Sequence, residues 1–134
     1  MEQMEIVEML YEITAYLRTF MNEQSKVPYI IRRICISVET YPSSSQETVS
    51  KKLNMDKSLL ARKVKTAQMD GYIRREVSPV DNRKAELYIT EKGEQLNAET
   101  KSLIHEWTNR AFSKLNESEK RQLSYLLNNV MHSL

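Results

Sequence analysis

The chain has 134 residues, with 20 Lys and Arg against 18 Asp and Glu, a net charge of +2, 40% hydrophobic and 28% charged residues, and only 2 Gly and 3 Pro. That balance belongs to one globular domain, alone or with helical extensions, and excludes both a disordered chain and a many-turned all-β fold. No apolar run approaches the roughly 18 residues of a membrane span, the acidic opening MEQMEIVEML lacks the order of a secretory signal, and one cysteine, Cys35, leaves no intrachain disulfide, so a reducing cytoplasm is the expected location.

Residues 4 to 21 predict a helix, because Ile6, Leu10, Ile13, Leu17 and Phe20 recur at spacings of three and four. After a break from Ser25 to Pro28, Tyr29 to Glu39 predicts a second helix on Ile30, Ile31, Ile34 and Val38, although its β-branched content also permits a strand. Ser45 caps a short helix containing Val49 and Leu53. Asn54 and Met55 interrupt it, Asp56 caps a helix from Lys57 to Asp70, and Gly71 suits the position just past its end. Two short helices joined by a tight turn give a helix-turn-helix outline. Extended residues from Tyr72 to Val77, turn chemistry from Ser78 to Arg83, and alternation of Ala85, Leu87 and Ile89 with polar neighbours predict a β-hairpin with a basic tip. Thr90 caps a long helix bearing Leu96, Leu103, Trp107, Ala111 and Leu115. Ser118 then starts a last helix striped by Leu123, Leu126, Leu127, Val130, Met131 and Leu134. The fold class is mainly α with a small β-hairpin (α+β): a winged helix-turn-helix over 41–92, flanked by dimerisation helices in 1–40 and 93–134, within one compact protomer.

The small net charge conceals an asymmetry. From Lys51 to Lys84 ten basic residues face four acids, an excess of six, so the rest of the chain carries a net of minus four. A basic middle between acidic ends is the pattern of a nucleic-acid-binding module. On a helical wheel Leu60, Val64 and Ala67 share one face of the Lys57–Asp70 helix, and Ser58, Arg62, Lys65 and Met69 share the other, with Lys57 and Ala61 beside them. Arg62 is suited to guanine in a major groove, and Lys57, Ser58 and Lys65 to phosphate oxygens. At the hairpin, Arg83 at the tip is suited to a narrow minor groove, with Asp81 holding its stem or capping the turn; Arg75 and Lys84 complete the basic set.

These residues resemble the MarR family of transcription regulators. The resemblance rests on Asn54-Met55-Asp56-Lys57-Ser58 followed by Arg62, on Asp70-Gly71-Tyr72-Ile73, and on Asp81-Asn82-Arg83-Lys84 followed by Leu87 and Ile89-Thr90-Glu91-Lys92-Gly93. It implies a homodimer on a pseudo-palindromic double-stranded DNA operator, usually a repressor. Ser58, Arg62 and Lys65 would act from the recognition helix, and Arg83 with Asp81 from the wing. Leu59 and Ala61 stand where the family favours short hydroxyl residues, which shifts the sequence read. Ala67 replaces a larger apolar residue, which leaves the packing behind the helix looser or filled by a neighbour.

The wide apolar stripes of the first and last helices are more than a winged helix of about 60 residues can cover, which points to a second copy of the chain. Many relatives in the MarR family lose DNA affinity on binding a small aromatic effector, and Tyr11, Tyr16, Phe20, Tyr29 and Trp107 are the candidates to line such a cavity, although each reads more simply as plain core. Cys35, between Ile34 and Ile36, reads as a buried, inert thiol. His105 and His132 cannot anchor a zinc site, and no cofactor is expected. Without paired carboxylates, a catalytic triad or a phosphate loop, an enzyme is not expected. The expected function is sequence-specific DNA binding by a ligand-modulated regulator; the alternative is a protein-interaction module that keeps the winged fold without operator binding.

Overall fold

A computed structural model describes residues 2–81 and 84–134. In chain order the elements are α1 (Gln3–Gln24), α2 (Tyr29–Thr40), α3 (Gln46–Leu53), α4 (Lys57–Met69), β1 (Ile73–Val77), β2 (Ala85–Ile89), α5 (Glu91–Ala111) and α6 (Glu117–Met131). The segment rich in β-branched residues is a helix, α2, because Ile31, Ile34, Cys35 and Val38 fall on one face and all are buried. A strand would have placed half of them in water. α3 and α4 begin where side chains accept their first free amides: Ser45 Oγ from Thr48 N at 3.1 Å, and Asp56 Oδ2 from Leu59 N at 3.1 Å. Between them Asn54 turns the chain in the left-handed region at φ 50°, and Gly71, at φ 84°, turns it out of α4.

The hairpin pairs Ile73 with Ile89, Arg75 with Leu87 and Val77 with Ala85, antiparallel. A bridge from Ser44 to Leu87 stitches the α2–α3 connection onto its inner edge. Thr90 joins the hairpin to α5. Its Oγ1 accepts from Gly93 N at 3.1 Å and donates to Gly71 O at 2.5 Å, while Lys92 Nζ donates to Asp70 O at 2.6 Å. α5 is thereby fastened to the end of α4 at its first turn. Its last partner, α6, starts at Asn116 rather than at Ser118: Asn116 Oδ1 accepts from Glu119 N at 2.8 Å, and Glu119 Oε1 accepts from Asn116 N at 3.0 Å, a reciprocal capping box.

The core is formed by α2, α3, α4, the hairpin and the start of α5, through Ile31, Ile34, Val38, Val49, Leu60, Val64, Ala67, Ile73, Leu87 and Leu96. Ala67 is fully enclosed, so its neighbours fill the space left by its short side chain. The terminal helices stand outside this core. Met21 is the one buried residue of α1, and α6 buries none. Ile6, Leu10, Ile13, Leu126, Val130 and Met131 are all exposed.

Candidate nucleic-acid interface

α4 lies with Leu60, Val64 and Ala67 against the core, 0%, 1% and 0% exposed. The helical period then carries Lys57, Ser58, Ala61, Arg62 and Lys65 into solvent. The hairpin places its charges by its period of two. Arg75 shares the Leu87 side of the ribbon and, with Lys84 and Glu86, forms one wall of a groove of about 580 Å³; residues 42–48, at the entry to α3, form the other. The opposite face of the ribbon satisfies its own charges. Arg74 Nη2 sits 3.1 Å from Glu76, the Arg74 guanidinium lies 4.9 Å from the centre of the Tyr88 ring, and the Tyr88 hydroxyl donates to Glu86 at 2.6 Å. That hydrogen bond to a carboxylate pushes the Tyr88 phenol above its ordinary value.

Groove and helix meet at Glu47, which the sequence places only beside the Ser45 cap of the short helix and not among the expected DNA-binding residues. It borders the groove and lies 3.6 Å from both Lys57 Nζ and Lys51 Nζ. The two ammonium groups, Lys57 first, hold the Glu47 carboxyl below the usual carboxylate range. One unbroken surface therefore runs from Lys84 and Arg75 across the groove to Glu47, Lys57 and the outward face of α4. Lys52 is tethered beside it, its Nζ 3.7 Å from the Tyr41 ring centre. The i,i+4 pairing of Glu47 with Lys51 is visible in the sequence, whereas the contact with Lys57 needs the fold. Asp81 is half-buried and Val80 is exposed at the tip; Asn82 and Arg83, the expected minor-groove residue, lie outside the described residues.

The five aromatic residues grouped from the sequence do not share a cavity. Tyr16, Phe20 and Trp107 line an open cavity of about 700 Å³ between α1, the end of α5 and α6. There Arg110 stacks 5.3 Å from the Phe20 ring centre, and Phe112 meets Trp107 edge-on at 6.5 Å. Tyr29 lines a separate cavity of about 310 Å³ with Leu17, Arg18, Ile30, Arg33, Leu53 and Met55. Tyr11 is exposed on α1 and lines neither. Cys35 is fully buried, and burial pushes its thiol up to about 12 against the opposing pull of Arg32. Among the described residues no group of three or more His, Cys, Asp and Glu side chains is placed to hold a metal, and no helix is long and apolar enough to cross a membrane.

Residues 39–116 match the family model described as HxlR-like helix-turn-helix. The chain belongs to that family. A curated relative of this HxlR-like protein, the HTH-type transcriptional regulator BilQ of Clostridium symbiosum, is 38% identical over 86 residues, 64% of this chain and 60% of the relative. The match thus spans less than two thirds of that regulator. A MarR transcriptional regulator from Methanosarcina mazei Go1 superposes with a TM-score of 0.89 over 99% of this chain and 91% of that one, at 20% identity. A mutant MarR from E. coli complexed with operator DNA superposes at 0.82 over 94% and 93%, at 18% identity. The expected MarR-type winged helix-turn-helix is therefore the fold observed, and HxlR-like is the family its sequence matches.

Proposed function

We propose that this HxlR-like protein is a homodimeric, sequence-specific double-stranded DNA-binding regulator, acting as a cytoplasmic repressor on a pseudo-palindromic operator. The observation that carries the proposal is the solvent-facing, cation-rich side of α4, set rigidly on Leu60, Val64 and Ala67 and continuous with the groove beneath the wing. A major groove admits such a helix. Arg62 donates in bidentate fashion to guanine, and the Ala61 methyl beside it is suited to the C5-methyl of thymine. Lys57, Ser58 and Lys65 grip phosphates on either side, Arg75 and Lys84 take the strand passing the groove, and the minor groove is assigned to Arg83, with Asp81 to hold its stem or cap the turn. That a structural neighbour of the same fold is complexed with operator DNA supports this reading.

The exposed stripes of α1 and α6 support the dimer, formed by 1–40 and 93–134 of two copies. A two-fold axis there sets the two α4 helices about 34 Å apart, one helical turn of DNA. The cavity holding Tyr29 is the better seat for a small aromatic effector. It touches Leu53 and Met55 at the α3–α4 turn, so an occupant bears directly on the recognition helix, and Arg18 and Arg33 at its rim suit an anionic ring substituent. The cavity of Tyr16, Phe20 and Trp107 lies instead on the face assigned to the second copy.

The test is selection of genomic fragments on the purified protein, followed by titration of the enriched sequence. The expected result is a motif of two inverted half-sites about one turn apart, with affinity falling steeply as salt rises because cation–phosphate contacts release counterions. Recovery of no motif overturns the proposal in favour of a protein-interaction module.

A further inference from the structure

α2 presents a charge to the interior. Arg32 is 0% exposed, although it stands between Ile31 and Ile34 on a helix whose other buried residues, Ser37 apart, are apolar. Its Nη1 donates to Thr100 Oγ1 at 2.7 Å and its Nη2 to Glu99 Oε1 at 2.5 Å; its Nε is buried without a partner. One turn along the same seam, the fully buried Asn97 donates from Nδ2 to Cys35 O at 3.0 Å and to Glu39 Oε2 at 2.9 Å, and Lys101 Nζ lies 3.9 Å from Glu39. Two polar clusters therefore join α2 to α5. A buried arginine, even one paired with a carboxylate that reaches solvent as Glu99 does, is seldom the most stable filling for such a space, because desolvation of the guanidinium offsets the attraction. What it supplies and an apolar side chain does not is a single permitted register. Advancing α5 by one residue shifts it by about 1.5 Å and turns it by about 100°, which leaves the guanidinium unpaired.

The place of the seam along α5 matters. Gly93, Leu96, Asn97 and Thr100 are the buried residues of α5, and none follows Thr100. Arg32 thus grips α5 at the last point where the winged unit encloses it. From Thr100 to Ala111 the helix runs about 16 Å beyond the winged unit, half-buried at Leu103, Ile104 and Trp107 and meeting α1 where Arg110 lies on the Phe20 ring, toward the face assigned to the partner copy. Tilting that lever by about 10° moves its far end by about 3 Å, close to the rise of one base pair.

From this we infer that Arg32 is a positioning residue: it fixes the angle at which α5 leaves the winged unit and, through the dimer, the half-site spacing the protein accepts. The inference rests on the dimeric, operator-binding reading above. The test uses the full-length protein and operators with spacers from two base pairs shorter to two longer, with R32M as the variant of similar volume. The wild type is expected to lose about tenfold or more in affinity for each base pair of change, and R32M to bind the native spacing nearly as well while discriminating less than about threefold between neighbouring spacings. R32M is also expected to keep its dimer and its melting temperature, which separates positioning from general destabilisation. If R32M does not fold, T100V, which removes one acceptor without changing shape, is read on the same series. A sharp wild-type profile retained in the folded variant overturns the assignment of Arg32 alone. A wild type that binds every spacing equally overturns the operator reading, and this inference with it.

Discussion

Gly93→Ala sets two magnitudes against each other. Gly93 sits in the first turn of α5 with no positive φ, so glycine is not required there for its backbone freedom. Intrinsic propensity alone favours alanine in a helix by about 1 kcal/mol. The surroundings oppose it. A Cβ at Gly93 would lie 2.5 Å from Ile89 Cδ1 and 2.8 Å from Ile89 Cγ1, and inside contact distance of the Tyr72 carbonyl oxygen. Ile89 could rotate, but that carbonyl cannot easily retreat, since it accepts from Thr90 N at 3.1 Å and shares the Thr90 hydroxyl proton with Gly71 O, its Oγ1 lying 3.0 Å away. Overpacking of this kind costs about 1–3 kcal/mol, and losing the Thr90 cap costs about 1 kcal/mol more. The expected net effect is destabilisation by about 1–3 kcal/mol, a fall in melting temperature of about 4–11 °C for a chain of this size. Because Tyr72 leads into β1 and Ile89 ends β2, the displacement reaches the wing, so operator affinity should fall further than affinity for random DNA. Thermal melts followed by circular dichroism and titrations on both DNAs measure the two effects. A variant that melts at or above the wild-type temperature with unchanged operator affinity refutes the reasoning, because helix propensity would then outweigh the close approach.

Arg62→Ala should lower the ratio of operator to random-DNA affinity by about tenfold or more, the scale of one bidentate base contact; equal losses on both DNAs in a mobility-shift titration would assign Arg62 to phosphate instead. Leu126→Glu places a carboxylate on the exposed stripe of α6, where the isolated chain tolerates it and a dimer interface does not. Sedimentation should then show a monomer at micromolar concentration, and a variant that remains dimeric would move the interface elsewhere. For Cys35, burial raises the thiol from its ordinary value to about 12, so the folded protein keeps its proton where the unfolded chain loses it. The resulting contribution to stability is complete below about pH 9 and is lost as pH rises toward 12. Iodoacetamide at pH 8 should leave the native protein unlabelled, and melting temperatures should fall more steeply above pH 9 in the wild type than in Cys35→Ala. Rapid native labelling, or identical pH profiles, would contradict the burial argument.

What was legible in the sequence divides by the distance to the interacting partner. Ser45, Asp56 and Thr90 each cap a helix through an amide three residues on, and the hairpin announces itself by alternation, so those elements are readable from a few consecutive residues. The two faces of α4 are readable for the same reason, because a helix of period 3.6 with apolar residues at 60, 64 and 67 can bury only that side. Even the start of α6 was present locally: Asn116 and Glu119 have the spacing of a capping box, while Ser118 is followed three residues later by Arg121, which cannot accept from a backbone amide. Tertiary context decides the rest. α2 is a helix because of what its isoleucines meet, and the aromatic residues part company because Tyr29 faces the α3–α4 turn while Trp107 faces α1 and α6. Arg32 is the limiting case. Its partner Thr100 lies 68 residues away, and an arginine within an apolar helix reads most simply as a side chain whose tip reaches water. Only when α5 is docked does the guanidinium become a buried point of registration, and helix propensity, which is nearly indifferent to arginine, carries no trace of that. The residues proposed to touch DNA can thus be read from local pattern, while the positioning role proposed for Arg32 emerges only from the packing of α2 on α5.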